Sequence, residues 1–182
     1  MTKITIDVLK EYRACNEAVE MFGERTKGEV ESIRLLRLLI KDKKYDWANW
    51  LIIRVMNHQQ FLAYAIYAAE QVLDNFEKKF PNDNRPRLAI EAAKKVLKRD
   101  TKKNRSAAES AARSAWSAWS AARSAESAAW SAWSAWSAAE FAAEPDAGFA
   151  TWFVARFADK IKIKILKYGI KLLKETGLTR PG

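Results

Sequence analysis

Cysteine and histidine each occur once in the 182 residues, as Cys15 and His58. One cysteine excludes an internal disulfide, and one of each excludes the usual four-ligand zinc spacings. Glycine (6) and proline (4) are scarce, which argues against both a turn-dense sandwich and a disordered chain. No apolar run approaches the ~20 residues that a bilayer-spanning helix needs. The opening MTKITIDVLKEYR has no apolar stretch of signal-peptide kind. With the lone cysteine, these absences give the expectation of a cytoplasmic protein. Catalytic signatures are missing too: there is no G-x-S-x-G and no phosphate-cradling glycine loop. His58, in N-H-Q-Q at a helix start, reads as an exposed first-turn residue. The expectation is a protein that is not an enzyme and needs no metal or cofactor.

Positive charge and tryptophan are what the chain has in excess. Lysine and arginine total 32 against 22 acids, a net charge of +10. Such a balance keeps a hydrophobic protein soluble, and it also attracts anionic partners. Five of the eight tryptophans fall in the stretch 104–144, written almost entirely in Ala, Ser and Trp. Alanine is the strongest helix former, and neither Gly nor Pro interrupts the run. Ser106, Ser110, Ser114, Ser117, Ser120, Ser124, Ser127, Ser131, Ser134 and Ser137 recur every three or four residues, a heptad-like stripe. A shift of fourteen lays Trp116 on Trp130 and Trp119 on Trp133; fourteen residues make about four turns, so the same face returns.

Forty helical residues would measure ~60 Å, against a diameter of ~40 Å expected for a globule of this length. Such a helix either breaks near its centre or is covered by a second subunit. Its small-residue stripes suit close helix–helix contact, which gives the expectation of a homodimer.

The remaining segments also read as helices. Val8, Tyr12, Cys15, Val19 and Phe22 form one stripe, predicting a helix over about 6–22 with Gly23 as its stop. Thr26 and Glu29 have capping-box spacing for a second helix to Ile40, and KDKKY is a charged loop. Asp46 is placed to cap a short third helix with Trp47, Trp50, Leu51 and Val55 as core candidates. Asn57 and Gln60 make a box for a fourth, reaching Phe80. Pro86 opens a fifth. The long Ala/Ser/Trp helix is ended by Pro145–Gly148. In the tail, IKIKI alternates like a strand, but Lys160, Lys164, Lys167, Lys171 and Lys174 share one helical face, and Ile161, Ile165, Tyr168 and Leu172 share another. Gly177 and Pro181 close that helix. The expected fold is all-α: a helical bundle of about seven helices with one long Ala/Ser/Trp-rich helix. Residues 1–100 form an N-terminal helical region, and 101–182 the long helix with the lysine-ridged C-terminal one.

No catalytic residue is indicated. Glu70, Asp74 and Glu77 share a helix face, which reads as a solvated acidic face rather than a metal site. A ligand site is drawn instead from Trp116, Trp119, Trp130, Trp133 and Trp136, with Arg113 and Arg123 nearby and Arg85 and Arg87 at a helix start. Indoles stack on bases, and guanidinium groups grip phosphate. The competing reading is that the indoles only supply apolar area to a helix of methyl groups.

Three stretches carry a family resemblance: ACNEAVEMF at 14–22, DWANWLIIRVMNHQQFLAYAIYAAEQVLDNFEKKFPNDNRPRLAIEAAKKVL at 46–97, and the Ala-rich periodic helix. They resemble bacterial and phage proteins labelled "putative immunity protein", as does the ending ILKYGIKLLKE. The resemblance implies a role in bacterial conflict. Members usually carry Ala and Tyr in the repeat, where this chain has Ser and Trp. The leading expectation is a protein that sequesters an anionic, nucleotide-like immune signal. The alternatives are an immunity protein that blocks a toxin by direct contact and a sequence-neutral binder of single-stranded nucleic acid. The expected partner is thus an anionic small molecule or an acidic protein.

Overall fold

The computed structural model describes residues 2–122, 126–143 and 158–175. Arg123, the Pro145–Gly148 stop, Gly177 and Pro181 lie outside them. The described residues form ten helices and one short ribbon. The ribbon pairs β1 (Lys3–Thr5) with β2 (Glu29–Glu31), antiparallel, with Ile4 opposite Val30. Three residues a side are too few to show an alternating pattern, yet Ile4 is fully buried.

This ribbon overturns the predicted T-x-x-E box. Glu29 is spent in β2, Thr26 ends the preceding helix, and the next begins at Ser32. The predicted 6–22 helix is two, α1 (Ile6–Glu11) and α2 (Asn16–Arg25). Gly23 lies inside α2 rather than stopping it. The chain breaks after α1 because Arg13 adopts a left-handed backbone, φ 57°. There the Ala14 amide donates to the Leu9 carbonyl and the Arg13 amide to that of Lys10, a Schellman turn with arginine where glycine is usual. α3 (Ser32–Lys41) ends the same way, with Lys43 at φ 59°.

α4 (Tyr45–Val55) starts one residue ahead of Asp46, which sits in its first turn. The Asn57/Gln60 box is formed reciprocally at the start of α5 (His58–Glu70). Gln60 also donates to the Leu172 carbonyl at 2.9 Å, joining two helices 112 residues apart. The predicted helix to Phe80 divides at Gln71–Val72, giving α6 (Leu73–Lys79). α7 (Arg85–Lys98) has Pro86 in its first turn, as its fixed φ favours.

The largest departure is in the Ala/Ser/Trp stretch. It is two helices, α8 (Lys102–Ala121) and α9 (Glu126–Ala143), rather than one long rod. Trp116 meets Trp136 and Trp119 meets Trp133. As one helix advances three residues the other retreats three, so the pair is an antiparallel hairpin. The length mismatch is resolved by folding back: the alanine stripes of the two helices pack within one chain, while the serine stripe of α8 stays exposed. α9 packs against α5, α6, α7 and α8. Ala132, Ala135, Ala138, Ala139 and Ala142 are fully buried in it, and Phe141 meets Phe61 edge-on at 4.5 Å.

α10 (Asp159–Lys174) crosses α3, α4 and α5. Its five predicted ridge lysines are all exposed, and Ile165 and Leu172 are buried. Gly169 marks the close crossing: a β-carbon there would lie 2.6 Å from Ile52 Cδ1 and 2.7 Å from Tyr64 Cε2. Tyr64 is itself fully buried and donates to Asn49 Oδ1 at 2.9 Å; burial pushes its phenol well above the usual range, so it stays protonated.

Candidate functional site

The hairpin brings together all five tryptophans of the repeat. On each helix they occupy spacings of three, so they share a face, and the antiparallel pairing sets the two faces side by side. Trp133 touches Trp116, Trp119, Trp130 and Trp136, at centroid separations of 5.5, 5.2, 6.3 and 4.6 Å. Trp116 also meets Trp119 at 4.6 Å and Trp136 at 5.1 Å. These are tilted and edge-to-face contacts, the arrangements that ring quadrupoles favour. Rings this close leave no slot for a base between them, so only outward faces are open to a partner. Trp116 is the most open, 40% exposed, and the other four are half-buried. Beneath this seam, Trp119 packs on a small cluster of Phe76, Ala118, Ala122 and Ala132.

Of the four arginines expected beside the indoles, the three among the described residues each hold a carboxylate. Arg113 pairs with Glu109 one turn back on α8. Arg87 makes a two-pronged pair with Glu77, both bonds 2.6 Å. Arg85 does the same with Asp83, at 2.8 and 2.6 Å. The Arg85 hydrogen bonds hold the Asp83 carboxyl below its usual range. A phosphate reaching Arg85 or Arg87 would have to displace a carboxylate already in fork geometry.

The acidic face of α5 and α6 behaves as a solvated, paired face: Glu70 bridges Lys94 and Glu77 bridges Arg87. Among the described residues, no cluster of His, Cys, Asp and Glu has metal-binding geometry. No helix among them is long and apolar enough to cross a membrane.

Sequence reasoning missed a second feature. A cleft of about 530 Å³ opens between α1, α2, α3 and α4, with Trp47, Trp50, Arg13 and Arg54 on its walls. Trp47 and Trp50 match the helical stripe of core residues, yet both are half-buried. The missing signal was the break at Arg13, which ends α1 and places Arg13, Ala14 and Cys15 on the lining of the cleft. Lys162 was also missed. It is buried in α10, and its Nζ lies 3.0 Å from Asp46 Oδ1.

No curated protein and no solved structure matches the chain. The segment from α4 through α9, which holds the whole tryptophan seam, does have a counterpart: on the match of its model to residues 51–144, just over half of the sequence, the chain belongs to the family described as "Imm-5 like putative immunity protein".

Proposed function

We propose that this is a non-enzymatic immunity protein that acts by direct contact with an acidic protein toxin, using the tryptophan seam of the α8–α9 hairpin. The observation that carries this reading is the seam itself: five indoles linked in one contact network at the surface, with Trp116 40% exposed. Tryptophan is the residue most enriched among interface hot spots, and a rigid seam loses little side-chain freedom on binding. The matched family segment contains the entire hairpin. The net charge of +10 supports an acidic partner and electrostatic steering toward it.

Trp116→Ala tests the proposal, since Trp116 is the least buried member of the seam. With an acidic toxin captured by the parent protein as the probe, the substitution should weaken binding about tenfold or more, as for a hot-spot residue. Its circular dichroism and melting temperature should stay near those of the parent. Unchanged affinity would sink the proposal.

A second reading, sequestration of an anionic nucleotide-like signal, is supported by the outward indole faces and the charge. Among the described arginines, it requires Arg85, Arg87 or Arg113 to release its carboxylate. Mass spectrometry of small molecules released on denaturing the purified protein separates the two: a stoichiometric nucleotide selects the second, and none selects the first.

A further inference from the structure

The cleft between α1 and α4 stands apart from the tryptophan seam: of the residues lining it, only Leu51 and Arg54 fall within the family-matched segment. Its volume of about 530 Å³ lies in the range of small-molecule sites, which are concave, mostly apolar and carry a few placed polar groups. Leu9, Phe22, Leu35, Leu39 and Leu51 make the floor, and all five are nearly fully buried. Such a floor rewards an apolar body. It offers nothing to the polar edges of a nucleobase or sugar, which would lose water without gaining partners.

The mouth has a different character. The Arg54 guanidinium lies 4.0 Å from the Trp50 ring centroid and donates one hydrogen bond to the Trp50 carbonyl. It is half-buried, and burial pulls its pKa down from the usual value. Neither Arg54 nor Arg13 takes part in any ion pair found among the described residues, unlike Arg85, Arg87, Arg105 and Arg113. The one acid on the lining, Asp46, is already answered by Lys162 at 3.0 Å. The balance left at the mouth is two cations. Arg13 is carried there by a left-handed residue in which glycine would be easier.

We propose that this cleft binds a monoanionic amphiphile: an apolar chain or ring system seated on the leucine floor, with one carboxylate or sulfonate held by Arg54 and Arg13 at the mouth. The inference does not depend on the toxin-contact reading, because the two sites share no residue.

Anilinonaphthalene sulfonate, an aromatic monoanion, is the first probe, and dodecanoate the competitor. The full-length protein should bind the dye at one saturable site, with enhanced fluorescence. Dodecanoate should displace it, and dodecyltrimethylammonium should not. Cys15 lines the same cleft and is exposed, so dodecanoate should also slow its reaction with Ellman's reagent. Arg54→Gln should weaken dye binding about tenfold, the scale of a lost charge-assisted hydrogen bond. Ala18→Trp, which fills the cleft from α2, should abolish binding without unfolding the protein. Trp116→Ala should leave dye binding intact. Absence of saturable binding, equal displacement by the cationic amphiphile, or binding that survives Ala18→Trp but is lost in Trp116→Ala would each overturn the proposal.

Discussion

Ser137 Oγ is buried in α9 without a hydrogen-bond partner among the described residues, whereas Ser134, one turn earlier, donates to the Trp130 carbonyl at 2.9 Å. The difference gives the two hydroxyls opposite energetic signs. An unpaired buried hydroxyl costs about 1–3 kcal/mol, so Ser137→Ala should raise stability by about 1 kcal/mol, read as a shifted urea midpoint at unchanged slope. Gly169 shows the reverse case. In an open helix Gly→Ala gains about 1 kcal/mol. Here the new methyl meets the Tyr64 ring at 2.7–2.9 Å, and that ring is fixed by its bond to Asn49. Overpacking of this kind costs about 1–3 kcal/mol, so Gly169→Ala should lower the melting temperature rather than raise it. Periodicity placed Gly169 in a helix, but the side chains that limit it, Ile52 of α4 and Tyr64 of α5, lie outside any local window.

The helices carry a lesson about repetition. Ser117 and Ser131 are equivalent across the fourteen-residue shift, as are Trp116 and Trp130. Ser117 is exposed on α8, while Ser131 is 1% exposed on α9. The sequence stripe is the same, and the surroundings differ: α9 is enclosed by four helices, and α8 keeps one side to solvent. Ser117→Glu should therefore change stability by no more than about 0.5 kcal/mol, as surface substitutions do. Ser131→Glu buries a carboxylate and should cost several kcal/mol, on the order of 3–5. Parallel thermal melts decide it; equal effects would mean that α9 is not enclosed. The capping boxes teach a related point. Asn57–Gln60 was legible because both partners are local. Thr26–Glu29 had the same spacing and failed, because β1, 24 residues away, recruits Glu29 as its strand partner.

Across the molecule, ion pairs sit mostly at the surface and between neighbouring elements, where each contributes little. Asp83 with Arg85 has a stated pH signature. The hydrogen bonds from Arg85 depress the folded-state pKa of Asp83 below 3.8. Its contribution is therefore complete above that value and fades as pH falls through the lower, folded-state value. Asp83→Asn should be less stable than the parent at neutral pH, and the gap should close in acid well below 3.8. A gap that persists unchanged into strong acid would show that the charge of Asp83 is not what Arg85 stabilises.

By itself, the sequence determined the helical character, the exposed lysine ridge of α10, the Asn57 box, the Pro86 helix start and the kinship with immunity proteins. Those are properties of periodicity, spacing and residue type within a few turns. The tertiary structure decided that the Ala/Ser/Trp stretch folds back into a hairpin, that its tryptophans pack on one another, and that α9 rather than α8 is enclosed. It also decided that Arg85, Arg87 and Arg113, expected at the indoles, hold nearby carboxylates, and that Trp47 and Trp50 line a cleft. The physical reason is common to all of these. A helical repeat specifies which residues share a face, but burial of that face depends on which distant helices cover it.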